Sequence, residues 1–162
     1  MIHQVVLSTG SNIEPRSEYL SDAILSITKE IGSVKSQSLV YESQPWGNKD
    51  QNDFLNQILI VESEYDPYQI LEKIQKIELD LNRIKKEHWG ARTIDIDIIY
   101  IDDLIMIEEK LQIPHLRLDE RLFVLIPMCE ILPDFVHPVF EVNQLELLKI
   151  CKDPLSVTLW KA

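Results

Sequence analysis

The sequence has only two cysteines, Cys129 and Cys151, and neither lies in a Cys-x-x-Cys pair. Two thiols cannot build a disulfide framework, so the simplest expectation is a reduced, cytoplasmic chain. No apolar run reaches the roughly 18 residues that a membrane span needs. The N-terminus, MIHQVVLSTGSN, turns polar too soon for a signal peptide. There is no Gly-x-x-x-x-Gly-Lys-Ser/Thr segment and no Gly-x-Gly-x-x-Gly, which removes the P-loop and the dinucleotide-binding cradle. His3, His88, His115 and His137 lack zinc spacing. Positive charge is scarce as well: 16 Lys and Arg face 27 Asp and Glu, a net charge of -11 at pH 7. Such a chain has no broad electrostatic grip on nucleic acid or an anionic membrane. Any anionic ligand must be held by a local basic patch or through a metal.

What is present reads as an ordinary globular protein, with 45% hydrophobic and 27% charged residues over 162 positions. That length suggests one domain, residues 1–162, with a core large enough to need no staples. A short buried strand runs from Val5 to Ser8, followed by a helix from about Pro15 to Ile31 that Gly32 ends. Alternation predicts strands at Val34–Glu42 and Phe54–Tyr65, separated by a turn-rich loop, SQPWGNKDQND. A second helix is expected over Tyr68–Ile84, with Ile70, Leu71, Ile74, Ile77 and Leu81 on its apolar stripe. TIDIDIIYIDDLIMI reads as a hairpin turning at Asp102-Asp103. Beyond Pro114 come a short apolar helix interrupted by Pro127, a weak helix over Gln144–Cys151 and a last strand over Ser156–Trp160. Two β-α-β halves predict an α+β fold: a ferredoxin-like, mainly antiparallel sheet with added helices.

The densest basic segment stands directly before an Asp-x-Asp pair, in RIKKEHWGARTIDIDIIY. A strand has period two, so Asp95 and Asp97 share one face while Ile94, Ile96 and Ile98 take the other. Paired carboxylates suit Mg²⁺, which takes one or two of them together with substrate phosphates. Arg83, Lys85, Lys86 and Arg92 lie within ten residues, opposed only by Glu87. Metal on one side of a pocket and basic side chains on the other are what a polyphosphate needs. Trp89 and Gly90 fit a loop that closes over a ligand and excludes water. On these residues alone, a ligand-binding regulatory module and a metal-dependent nucleotidyl transferase or cyclase remain open.

HWGARTIDIDII, residues 88–99, resembles the signature of the 6-hydroxymethyl-dihydropterin pyrophosphokinases of folate biosynthesis. The resemblance extends to GSN near the start, DQNDFLN at 50–56, IQKIE at 74–78, IPH at 113–115 and RLFVLIPMCEI at 121–131. It implies transfer of the β,γ-diphosphate of ATP to the hydroxymethyl oxygen of the dihydropterin, with release of AMP. It also implies two Mg²⁺ ions on Asp95 and Asp97 and a three-layer α/β/α sandwich.

For ATP the resemblance points to Gln75, Glu78, Lys85, Trp89, Arg92, Ile98, Lys110, His115 and Arg121. For the pterin it points to Ser43, Gln44, Trp46, Phe54, Asn56, Trp89, Asp95 and Phe123, with the flat ring sandwiched between Phe54 and Phe123. Asp95, Asp97, Arg92 and Lys85 carry the chemistry in that reading. Several positions depart from the common pattern: Gln44 and Trp46 stand where Pro and Leu are usual, and Phe54 where Tyr is frequent. Lys85 replaces an Arg, turning a bidentate phosphate contact into a point charge. Leu116 replaces a Tyr near the nucleotide. The implied partners are small molecules only, without nucleic acid or membrane. The chain is expected to be a monomer with no room for a fused second folate enzyme.

Overall fold

The computed structural model describes residues 1–83 and 90–162. Strands β1 (His3–Ser11) and β4 (Phe54–Ser63) are buried along almost their whole length, because helices cover both faces of the sheet they form. The remaining elements are α1 (Arg16–Glu30), β2 (Ser33–Gln37), β3 (Tyr41–Ser43), α2 (Pro67–Asp80) and β5 (Asp95–Ile101). They are followed by β6 (Met106–Ile107), β7 (Gln112–Ile113), a 3₁₀ turn (Leu118–Glu120), α3 (Leu122–Ile131), α4 (Gln144–Ile150) and β8 (Val157–Leu159). The large sheet runs β5-β1-β4-β3-β8, with β2 also on β4, and every described pairing in it is antiparallel. With β2 and β3 taken as one broken strand, this is the strand order of a ferredoxin-like β-α-β-β-α-β unit.

Alternate sheet residues feed two cores. Val5, Leu7, Leu59 and Ile96 pack under Leu20, Ala23 and Ile27 of α1 and Ile70, Ile74 and Ile77 of α2. Val6, Ile58, Ile99 and Tyr100 pack under Val124, Leu125 and Met128 of α3 and Leu147 of α4. The result is the expected α/β/α sandwich. Helix α2 starts with a capping box: Gln69 N–H donates to Asp66 Oδ1 at 2.9 Å, Asp66 N–H donates to Gln69 Oε1 at 3.0 Å, and Pro67 opens the first turn. Gly32 is required by a close approach, since a Cβ there would sit 2.0 Å from the Glu62 carbonyl oxygen as the chain turns from α1 into β2.

Several boundaries differ from the sequence expectation. The strand predicted over Val34–Glu42 is broken at residues 38–40. There the Ser38 hydroxyl accepts from Ile58 N–H at 2.9 Å, and Leu39 N–H turns to Glu130 of α3 at 2.9 Å. Ser38 N–H still donates to the Ile58 carbonyl at 2.9 Å, but side chains take the other bonds at that point, a competition that alternation cannot reveal. The second helix ends at Asp80 and not near Ile84; Asn82, at φ 67, takes the chain out of the helical path. The predicted hairpin does not form: β5 pairs with β1, and β6 pairs with β7. Asp102 is at the turn as expected, at φ 47, and its carboxylate accepts from Gln4 N–H at 2.8 Å and meets His3 Nδ1 at 2.7 Å. Those contacts tie the turn to the start of β1. Pro127 lies inside α3 without ending it; its local cost of about 3 kcal/mol is offset by burial of Val124, Leu125 and Met128.

Candidate active site

Three clefts converge on the first residues of β5. The first has about 540 Å³ of empty space including its mouth, the second about 850 Å³ and the third about 1380 Å³. Asp97 and Arg121 line all three, and Asp95 and Arg92 line the first and third. The period-two expectation for the carboxylates holds: Ile94, Ile96 and Ile98 enter the α1–α2 core, while Asp95 and Asp97 face the clefts.

The register with β1 decides how open that face is. Gly10 lies opposite Asp95 and Ser8 opposite Asp97, and both small residues line the first cleft with the carboxylates. Among the described residues, no Lys side chain sits across the strand from the pair. A register shift follows: Val6 pairs Tyr100 and Leu7 pairs Ile98, leaving Ile99 as the extra residue. Such a bulge re-aims side chains. Here the Ile99 carbonyl accepts from His115 N–H at 3.0 Å, which brings the loop after β7 against the aspartates.

The two carboxylates have unequal surroundings. Asp95 Oδ2 meets Arg92 Nη1 at 2.7 Å, and its Oδ1 meets Arg83 Nη1 at 3.1 Å. Arg83 also pairs with Glu78, whose other oxygen accepts from Ile96 N–H at 2.9 Å. Burial pushes the Glu78 carboxyl above its ordinary range. Asp97 has no hydrogen bond or ion pair among the described residues. Burial first, and the neighbouring Asp95 charge second, push its carboxyl to about 7. Burial and the adjacent Arg121 charge lower His115 to about 4. Its Nδ1 accepts from Arg117 N–H at 3.1 Å, so at neutral pH the ring proton is on Nε2 as a donor.

The residues named from the sequence gather as follows. Ser43, Gln44, Trp46, Phe54, Asn56, Asp95 and Phe123 all line the first cleft. Gln75, Glu78, Arg92, His115 and Arg121 line the third, and Ile98 and Lys110 join His115 and Arg121 along the second. Lys85 and Trp89 lie outside the described residues, as do the other residues of 84–89. Asn56 Nδ2 donates to Ser43 Oγ at 2.8 Å, bracing β3 against β4 at the cleft wall.

Two participants escaped the sequence reading. Arg83 counted only toward the basic cluster, yet its guanidinium reaches Asp95. Asn12, within GSN, is fully buried and bridges two segments. Its Nδ2 donates to Gln51 Oε1 at 2.9 Å and to the Asn52 carbonyl at 3.0 Å, while its Oδ1 accepts from Arg92 N–H at 2.7 Å. A polar residue directly after a buried strand was the available signal.

The family model for 7,8-dihydro-6-hydroxymethylpterin-pyrophosphokinase (HPPK) matches residues 6–133. The chain belongs to the HPPK family. That family is named for pyrophosphoryl transfer to hydroxymethyldihydropterin. Among HPPK relatives, the 2-amino-4-hydroxy-6-hydroxymethyldihydropteridine pyrophosphokinase of Aquifex aeolicus is 37% identical over 136 residues, covering 84% of each chain. The bifunctional protein FolKE of Lactococcus lactis subsp. lactis is 47% identical over 127 residues, 78% of this chain and 36% of that one. The wild-type HPPK-DHPS of Plasmodium falciparum with pteroate superposes with a TM-score of 0.74 at 16% identity, over 92% of this chain and 42% of that one. This chain therefore spans under half the length of those two longer proteins and most of the length of the Aquifex HPPK.

Proposed function

We propose that this HPPK-family chain transfers the β,γ-diphosphate of ATP to the hydroxymethyl oxygen of 6-hydroxymethyl-7,8-dihydropterin, releasing AMP. The observation that carries the reading is the shared position of Asp97 and Arg121. An aromatic-walled cleft and two larger clefts meet at one carboxylate and one guanidinium. A flat heterocycle between Phe54 and Phe123 would present its hydroxymethyl arm there, beside the phosphates of a nucleotide lying along Gln75, Ile98, Lys110 and His115.

The site fits magnesium held jointly with substrate. The described residues contain no cluster of three metal-ligating side chains. Two carboxylates on one open face, one of them pushed up by burial and by the other's charge, are a donor set that Mg²⁺ completes with phosphate oxygens. Asp95 and Asp97 would hold two ions, which when bound neutralise phosphate charge and orient the oxygens. The chain's own groups do the rest. Arg92 and Arg121 stabilise the charge that develops on the transferred phosphoryl, and Lys85 adds a point charge. Neutral His115 offers an N–H donor from Nε2. In-line attack by the hydroxyl on the β-phosphorus depends on positioning more than on a general base. Lys85 and Trp89 act in the same site, Trp89 toward both substrates.

The polypeptide of residues 1–162 acts as a single pyrophosphokinase domain, monomeric and cytoplasmic. No helix among the described residues is long and apolar enough to cross a membrane. The test is product analysis after mixing the protein with ATP, MgCl₂ and the dihydropterin. AMP and the pterin diphosphate are expected. Pyrophosphate release would overturn the reading in favour of nucleotidyl transfer.

A further inference from the structure

We propose that Trp46 is a positioning residue: its indole face holds the Arg121 guanidinium at the junction of the clefts and ties nucleotide binding to the 43–53 loop. This rests on the phosphate-binding role proposed above for Arg121. The Arg121 Cζ lies 4.8 Å from the Trp46 ring centroid and 5.6 Å from that of Phe123. Its Nε is buried and has no hydrogen-bond partner among the described residues. Among the described residues, rings and no side-chain acceptor therefore flank this guanidinium.

That difference matters for an anion-binding group. A cation over an aromatic face uses the face of the guanidinium and leaves its N–H edge free. A salt bridge to a fixed carboxylate would occupy that edge, as it does for Arg92 with Asp95. The rings also shield part of the half-buried guanidinium, including its Nε, from water, which strengthens a phosphate contact made there. Arg121 is thus held in place with its side-chain donors taken up by none of the described residues.

The two rings come from different elements. Trp46 belongs to the loop after β3, which also supplies Gln44 to the first cleft, and Phe123 lies in the first turn of α3. Both rings line the cleft assigned to the pterin. A planar ligand entering that cleft meets the surfaces that grip Arg121, so its binding and phosphate binding act on one set of contacts. Coupling of this kind is reciprocal. Arg117 Cζ lies 5.4 Å from the same indole, so the ring gathers two cations that both border the second cleft.

The experiment is a double-mutant cycle on the full chain with Trp46→Leu, Arg121→Lys and the pair, plus Trp46→Phe. Calorimetry with magnesium and inorganic triphosphate gives the affinities. Trp46→Leu is expected to weaken triphosphate binding roughly 2- to 30-fold, the span of a cation–π contact, while Trp46→Phe retains most of the affinity. The double variant should bind no more weakly than the weaker single one, because both changes break the same contact. In wild type, α,β-methylene-ATP should bind tighter with the dihydropterin present, and Trp46→Leu should shrink that gain. Additive losses, or a Trp46→Leu variant that loses pterin affinity alone, would overturn the proposal and leave Trp46 a cleft wall. If urea melts show that Trp46→Leu does not fold, the cycle is run with Trp46→Gln, which also lacks an aromatic face. A non-additive cycle in a protein that releases no AMP sinks the proposed function and keeps the positioning role. AMP release with an additive cycle does the reverse, and failure of wild type to bind triphosphate overturns both.

Discussion

Replacing Asp97 by Asn should stabilise the metal-free protein while abolishing its activity. The carboxyl of Asp97 is pushed to about 7 by burial and by Asp95, against about 3.9 for an aspartate in an unfolded chain. An acid whose folded value is raised binds its proton more tightly when folded. Between those two values stability therefore falls as pH rises, and the deficit is fully developed above the folded value. Three pH units at about 1.4 kcal/mol each set a ceiling of about 4 kcal/mol at pH 7.5. The opposing Arg121 and Arg92 charges are already contained in that value; the buried Asn amide, itself left without a hydrogen-bond partner, offsets part of the ceiling, and about 1–3 kcal/mol is the expected gain. In a chain of this size that corresponds to a melting temperature higher by about 3–9 °C. The assay is urea and thermal unfolding in EDTA at pH 7.5 and pH 5.0. The advantage of Asp97→Asn should shrink by more than half at the lower pH, because the wild-type carboxyl is then protonated in the folded state. Added MgCl₂ with α,β-methylene-ATP should stabilise wild type and not the variant. An Asp97→Asn protein no more stable than wild type at pH 7.5 without metal would refute the reasoning: the carboxylate would already be compensated, and no unmet charge would await a cation.

Arg92→Ala should lower kcat by about 10²-fold or more with a smaller loss of ATP affinity, since its guanidinium also serves the free enzyme as a partner of Asp95; calorimetry beside steady-state rates separates the two, and lost affinity at unchanged kcat would contradict it. His115 is the mirror case of Asp97. Its folded value is lowered to about 4, so the unfolded chain binds the extra proton first and stability falls as pH drops from about 6.5. His115→Asn should flatten that part of the pH–stability curve, and an unchanged difference curve between pH 7 and pH 4.5 would show that the ring is not held neutral by its surroundings.

Periodicity and motif spacing in the sequence determined much of this protein. The alternation in TIDIDII set Asp95 and Asp97 on one face because strand geometry leaves no other choice. The stripe of Ile70, Ile74 and Ile77 fixed the buried face of α2 for the same reason. Asp66-Pro67 marked the start of α2, where the capping box forms. The stretches carrying the family resemblance supplied residues that the fold does gather around three clefts. Register, pairing and charge compensation were not legible, because they depend on neighbours distant in the chain. Nothing near TIDIDIIYIDDLIMI says that β5 prefers β1 to its own continuation. That choice puts Gly10 and Ser8 opposite the aspartates and keeps their face open. The break at Ser38 depends on Glu130, some ninety residues on. Trp46 read as a wall of one pocket; only the packed structure stacks it on Arg121. Local sequence encodes which way a side chain points along its own element. What stands opposite that side chain, and so its charge state and its chemistry, is set when separate elements pack.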